Sequence, residues 1–93
     1  MIKSPLERQY DIITSYCFAN RKLLKRYKDC ICLYCGREYP YTKINSWVQD
    51  APEITAICPF CNIDAVVPKH VGNQVDKFTV TKELQEAIKK YYF

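Results

Sequence analysis

Glycine is scarce in this chain of 93 residues, which holds only Gly36 and Gly72, and histidine occurs once, at His70. A phosphate-cradling loop or a G-x-S-x-G nucleophile elbow needs clustered glycines, and an H-E-x-x-H helix needs paired histidines. None of these is present, and no spacing singles out a catalytic pair among the ten acids, so an enzyme is not expected. Long apolar runs are also missing. No stretch approaches the ~18 apolar residues of a membrane span, and Met1-Ile2-Lys3-Ser4-Pro5 leads into a mixed polar segment without the apolar stretch of a signal peptide. The expected setting is therefore cytoplasmic. Low-complexity linkers are absent as well, and nothing suggests more than one domain.

Cysteine, by contrast, is abundant. Six occur in a chain with no export signal, which points to a reducing compartment where thiols remain available for metal. Four of them fall into two pairs of identical spacing, Cys32-Leu33-Tyr34-Cys35-Gly36 and Cys58-Pro59-Phe60-Cys61. The 22 intervening residues suffice for a hairpin or short helix that brings the pairs together. In each C-x2-C a tight turn aims both sulfurs at one spot, and two such turns supply the four thiolates that tetrahedral zinc takes at roughly 2.3 Å. Gly36 suits the positive φ of such a knuckle, and Pro59 stiffens the other one. Four protein thiolates leave no open coordination position, so Cys32, Cys35, Cys58 and Cys61 are expected to hold one structural Zn²⁺. A thioredoxin-like redox role fits poorly with a doubled motif and no βαβ pattern.

A chain this short buries only about 60–65% of its unfolded surface and needs a staple. Structural zinc is worth an apparent ~10–16 kcal/mol in finger peptides, as much as the whole stability of an ordinary domain. Cys17, Cys30 and His70 stand outside the two pairs. Cys17 reads as a core residue, Cys30 as a spare thiol that could replace Cys32 in an irregular knuckle, and His70 as a ligand only for a Cys3His variant of the site.

Along the chain, three parts are expected: a basic helical arm over 1–28, a metal-bearing core over 29–68, and a strand with a closing helix over 69–93. Ser4, Pro5 and Glu7 start the arm with a capping box. Leu6, Tyr10, Ile13, Cys17, Leu24 and Tyr27 then recur at helical steps, with Asn20 filling the gap; the preferred reading is two helices, the second capped by Asn20 and covering Arg21 to Tyr27. Arg37 to Tyr41 is expected as a strand with Tyr39 inward. Thr42 should cap a short helix through Ile44, Trp47 and Val48 that ends over Gln49-Asp50-Ala51-Pro52, with Trp47 packed beside the metal site. Ile54–Ile57 and Ala65–Val67 are expected as the two arms of a hairpin across the second knuckle, Lys69–Asn73 as a loop, and Val75–Val80 as a last strand. Thr81 caps the closing helix, with Leu84, Ala87, Ile88 and Tyr91 on its inner face. The fold class is thus α+β: a small zinc-ribbon or rubredoxin-like knuckle pair with short hairpins, flanked by an amino-terminal amphipathic helix and a carboxy-terminal helix.

Residues 20–93 resemble a group of small, mostly uncharacterised bacterial and phage cytoplasmic proteins. The likeness lies in Cys30-Ile31-Cys32-Leu33-Tyr34-Cys35, in Ile44 with Trp47, in Thr55-Ala56-Ile57-Cys58-Pro59-Phe60-Cys61-Asn62-Ile63-Asp64, and in the aromatic carboxyl end. It implies a zinc-ribbon-type pair of knuckles ligating metal through Cys32, Cys35, Cys58 and Cys61. Where that group usually has glycine after the fourth cysteine, this chain has Asn62, which also tolerates left-handed geometry. The C-x2-C-G and C-P-x-C knuckles are also similar to those of rubredoxin, which implies iron as the alternative metal, although the spacer here is short for that family and the basic helix has no counterpart.

Charge is unevenly spread: up to Lys28 there are seven Lys or Arg against two acids, and beyond it seven against eight. Arg21, Lys22, Lys25, Arg26 and Lys28 form the densest basic run and the candidate contact to a nucleic acid or other partner, with Tyr34, Tyr39 or Tyr41 available to stack on bases. The leading expectation is a small non-catalytic interaction or regulatory protein, an inhibitor being one such role, that binds a protein partner through the amino-terminal helix. That helix also offers a seam for self-association. The alternative is nucleic-acid binding through the basic run.

Overall fold

The computed structural model describes residues 4–50 and 53–93. The Met1–Lys3 lead and the Ala51-Pro52 end expected for the central helix lie outside the described residues. The first helix, α1 (Pro5–Ser15), begins as its residues dictate. Glu7 N–H donates to Ser4 Oγ at 3.2 Å, and the Glu7 carboxylate accepts from Ser4 N–H at 3.4 Å, closing the capping box. The chain then turns through Ala19, whose φ is 51°, into α2 (Arg21–Tyr27). Two helices are therefore present, as the break at Asn20 suggested. Tyr10, Ile13, Cys17 and Leu24 are buried along the expected stripe, whereas Leu6 at its start is exposed.

Asn20 does not cap α2: its side chain makes no capping hydrogen bond. It is instead completely buried. Its Nδ2 donates to Tyr16 O at 2.8 Å and to Val66 O at 2.7 Å, while its Oδ1 accepts from Ala56 N–H at 3.1 Å. Both amide hydrogens and the carbonyl are thereby used, which is what makes burial of this group tolerable. The amide joins the end of α1 to two distant strand segments. Beside it, Ala19 N–H donates to Thr55 Oγ1 at 2.9 Å.

The central sheet has β1 (Asp29–Cys32) between β2 (Glu38–Pro40) and β5 (Val66–Pro68), all antiparallel. Cys30 faces Tyr39 on one side and Pro68 on the other, and Cys32 faces Val66. Cys30, Ile31 and Cys32 are all buried, as are all three residues of β5, so the usual in-out alternation is lost and both faces of the sheet are covered. Helix α2 packs against β1 and β5.

Three expectations fail here. The helix expected from Thr42 is a single 3-10 turn over Tyr41–Lys43 followed by β3 (Ser46–Asp50), which pairs along its whole length with β4 (Glu53–Ile57). Ile44, Trp47 and Val48 fit helical spacing, but so short an apolar run cannot settle the period, and Trp47 and Val48 suit a strand once a partner is beside them. The hairpin expected across the second knuckle does not form, because β4 pairs with β3 and β5 with β1. The segment expected as a loop over Lys69–Asn73 contains β6 (His70–Gly72), paired with β7 (Lys77–Thr79), the strand that was expected. The closing helix, α3 (Lys82–Tyr92), is capped by Thr81 Oγ1, which accepts from Leu84 N–H at 3.1 Å. Ile88 and Gln85 are its buried residues, and Tyr91 is exposed. The class is α+β, with small antiparallel sheets and three helices among the described residues.

Candidate metal centre

Each knuckle is a short loop closed by two backbone hydrogen bonds, and the two loops repeat one another. In the first, Cys32 N–H donates to Arg37 O at 3.0 Å and Gly36 N–H to Cys32 O at 2.9 Å; in the second, Cys58 N–H donates to Ile63 O and Asn62 N–H to Cys58 O, each at 3.0 Å. The residue following each pair takes the left-handed conformation, with φ of 76° at Gly36 and 61° at Asn62. Asn62 thus fills the position that glycine fills in the first knuckle, as a residue able to visit that region.

The knuckles face one another. Cys32 Sγ lies 3.6 Å from Cys61 Sγ, and Cys35 Sγ lies 3.8 Å from Cys58 Sγ. All four sulfurs fall within 4.8 Å of one another. Four thiolates at roughly 2.3 Å around a tetrahedral ion stand about 3.8 Å apart, so these separations suit a single metal ion held by the whole set. All six cysteines are unbridged. Cys32 and Cys58 are buried, while Cys35 and Cys61 are partly accessible. The centre therefore has one closed side and one side toward solvent.

The thiols differ in proton affinity. Burial pushes Cys32 well above the usual thiol range despite N–H groups from Cys35 and Tyr34. Burial also raises Cys58, but the Tyr39 hydroxyl and the N–H groups of Cys61 and Phe60 outweigh it and hold this thiol at about 7. Metal binding requires thiolates, and the donors around Cys58 favour that form of its sulfur.

Cys17, Cys30 and His70 do not join the cluster among the described residues. Cys17 is a core residue, as expected, and burial followed by the charge of Asp64 pushes its thiol up to about 12. Cys30 is fully buried and likewise pushed up to about 12 by burial and then by Asp29. His70 is exposed on β6 with Nδ1 2.5 Å from Thr79 Oγ1. Trp47 is half-buried on β3 with the Arg21 guanidinium 5.3 Å from its ring centroid, and is not among the fully buried core residues.

One side chain that braces the first knuckle has no counterpart among the residues the motifs single out. Gln85 of α3 is 2% exposed, and its Nε2 donates to Leu33 O at 2.7 Å. Its other amide atom approaches Gly36 so closely that a Cβ there would stand 2.8 Å from Gln85 Oε1. The signal in the sequence is slight: Gln85 sits one step from Leu84 and three from Ile88, on the apolar side of an amphipathic helix.

The basic run sits together on α2. Arg21, Lys22, Lys25, Arg26 and Lys28 are all exposed. The Arg26 guanidinium lies 5.7 Å from the centroid of Tyr27. Among the described residues none of the five cations forms an ion pair, the recorded pair being Lys69 with Glu38. Of the three tyrosines considered for stacking, Tyr39 is buried and Tyr34 is engaged by Lys89 and Phe93. Tyr41 remains, half-buried beside the end of α2, its N–H donating to Lys28 O at 2.7 Å. No described helix is long and apolar enough to cross a membrane. No protein-family model, no curated protein and no solved structure matches the chain.

Proposed function

We propose that the chain is a non-catalytic module in which one zinc ion on Cys32, Cys35, Cys58 and Cys61 fixes a small platform that contacts nucleic acid through α2. The four-sulfur set supports zinc or iron, both of which suit thiolates, and zinc is favoured because a closed site of this kind needs no redox chemistry to serve as a staple. The membership in the bacterial and phage cytoplasmic-protein group belongs to the same reading and rests on the motif residues.

The observation that carries the partner class is the basic face, whose cations form no ion pair among the described residues. Five cations on and just after a seven-residue helix with no acid in its first turn repel one another unless a polyanion lies across them. The Arg21–Trp47 pair and Tyr41 flank that face with rings on which bases can stack. The apolar stripe of α1, by contrast, is largely consumed by the protein's own core through Tyr10, Ile13 and Cys17, which weakens the helix as a seam for self-association.

Fluorescence titration with single-stranded and duplex oligonucleotides tests this reading, because Trp47 is the one tryptophan in the chain. Quenching that fades with salt at a slope near −3 in log–log form is expected for about four phosphate contacts on a single strand. Exchanging Arg21, Lys22, Lys25 and Arg26 for Gln should abolish it. Binding unchanged by those exchanges, or none at all, refutes the nucleic-acid reading.

A protein partner is the second reading. It is favoured by a hollow of about 310 Å³ lined by Thr14, Cys17, Phe18, Asp64, Tyr92 and Phe93, with the Phe18 and Phe93 rings exposed. Co-purification of a protein that survives nuclease and moderate salt, and is lost in Phe18→Ser, would support it.

A further inference from the structure

Among the described residues, one buried side-chain nitrogen or oxygen has no hydrogen-bond partner: the hydroxyl of Tyr39. Tyr39 is 7% exposed and held in register opposite Cys30 on β1. Its ring lies 5.4 Å from that of Phe60, inside the second knuckle, and the guanidinium of Arg37 lies 4.6 Å from the centroid of the same Phe60. The groups that surround its hydroxyl electrostatically are Cys58 first, then Cys32 and Cys30. The hydroxyl is thus buried against sulfur, and a neutral thiol is a poor acceptor for it.

A polar group in this position costs stability unless something accepts its proton. The acceptor becomes strong when the sulfur carries charge, because hydrogen bonds to ionised acceptors are roughly twice as strong as neutral ones. Four thiolates on a divalent ion leave an excess of negative charge in a partly buried centre, and such charge needs donors around it. Cys32 Sγ already receives Cys35 N–H at 3.5 Å.

We infer that Tyr39 is a positioning residue of the metal centre, whose O–H donates to the Cys58 thiolate and stabilises the metal-loaded form over the metal-free one. This rests on reading the four sulfurs as a metal centre. The ring alone would fill the space against Phe60, so packing accounts for the ring and leaves the buried hydroxyl to be accounted for by an acceptor.

The test compares the zinc-loaded protein with Tyr39→Phe, which keeps the ring and removes the donor. Competition with a chelator of known affinity should show a 10–100-fold loss of zinc affinity, the range typical for groups that support metal ligands from outside. Cobalt(II) substitution supplies a second readout, since losing a donor to one sulfur should shift the sulfur-to-cobalt charge-transfer band. A packing role would move neither. If Tyr39→Phe does not fold, 3-fluorotyrosine placed at position 39 keeps ring and hydroxyl while making the hydroxyl a better donor, and it should tighten zinc binding. Equal affinity and an unchanged cobalt spectrum in Tyr39→Phe, or no tightening with fluorotyrosine, overturns the inference while leaving the metal centre standing. If the parent protein itself binds neither zinc nor cobalt, the metal reading fails and takes this inference with it.

Discussion

Two knots hold distant segments of this chain together, one made of sulfur and one of a single amide. The sulfur knot joins residues 32–35 to residues 58–61 and can be closed by a metal. The amide knot is Asn20, which ties the end of α1 to Val66 on β5 and to Ala56 on β4. Both replace apolar core that a chain of this length cannot supply in quantity. They differ in how their strength is delivered. A metal–thiolate set contributes its free energy in one binding event, whereas the amide contributes mainly by sparing buried groups from being left unpaired. The first, with a metal in it, is a knot that chemistry can open from outside; the second can be opened only by mutation or unfolding.

The comparison breaks most sharply on metal removal. A strong chelator, or Cys58→Ser, should unfold the sheet made of β1, β2 and β5, since the apparent ~10–16 kcal/mol of a structural zinc site equals or exceeds the stability of a whole small domain. Circular dichroism and thermal melting before and after chelation report this. An unchanged melt would remove the sulfur knot from the account altogether.

Asn20→Ala is the corresponding cut at the amide knot, and its effect should be smaller. Leaving Ala56 N–H and Val66 C=O unpaired should cost about 2–4 kcal/mol, or roughly 10–30 °C of melting temperature for a domain of this size. The loss should persist with metal saturating, because the metal does not touch these groups. If Asn20→Ala melts with the parent, Asn20 is a bystander.

The smallest effect sharpens the comparison inside the sulfur knot itself. Gly36→Ala should cost about 1–2 kcal/mol from the left-handed backbone alone, with a further loss because the added Cβ would press on Gln85 Oε1, whose amide is fixed by Leu33 O. Asn62→Gly should lie within about 0.5 kcal/mol of the parent, since glycine adopts the same φ freely. Urea melts of the two zinc-loaded variants measure the difference. Equal losses would mean that the two knuckles are not held in the way their shared hydrogen bonds suggest.

What could be read from the sequence followed from short-range chemistry. The spacing of Cys32, Cys35, Cys58 and Cys61 named the residues that come together, and Ser4 with Glu7, and Thr81, named two helix starts. Tyr39 was expected to face inward, and Cys17 to behave as a core residue. Asn20 stands in the sequence as the gap in an apolar stripe and reads there as a cap, whereas the fold buries it without a capping hydrogen bond. A polar residue in phase with Cys17 and Leu24 is the mark of a buried amide, but a cap is the commoner use of asparagine next to a helix, and the strand residues to which it is hydrogen-bonded lie 36 and 46 residues away. The segment around Trp47 failed for a related reason: its period was ambiguous, and β4 decided it.

The sequence by itself determined the two knuckles, their positive-φ residues and the amphipathic ends, because each depends on contacts made within a few residues. Only the tertiary structure decided that β4 and β5 go to different sheets, that Asn20 is buried, that Gln85 braces the first knuckle and that the Tyr39 hydroxyl is shut in beside Cys58. Those outcomes depend on which distant partner arrives, and a local pattern of side chains carries no record of the partner's position.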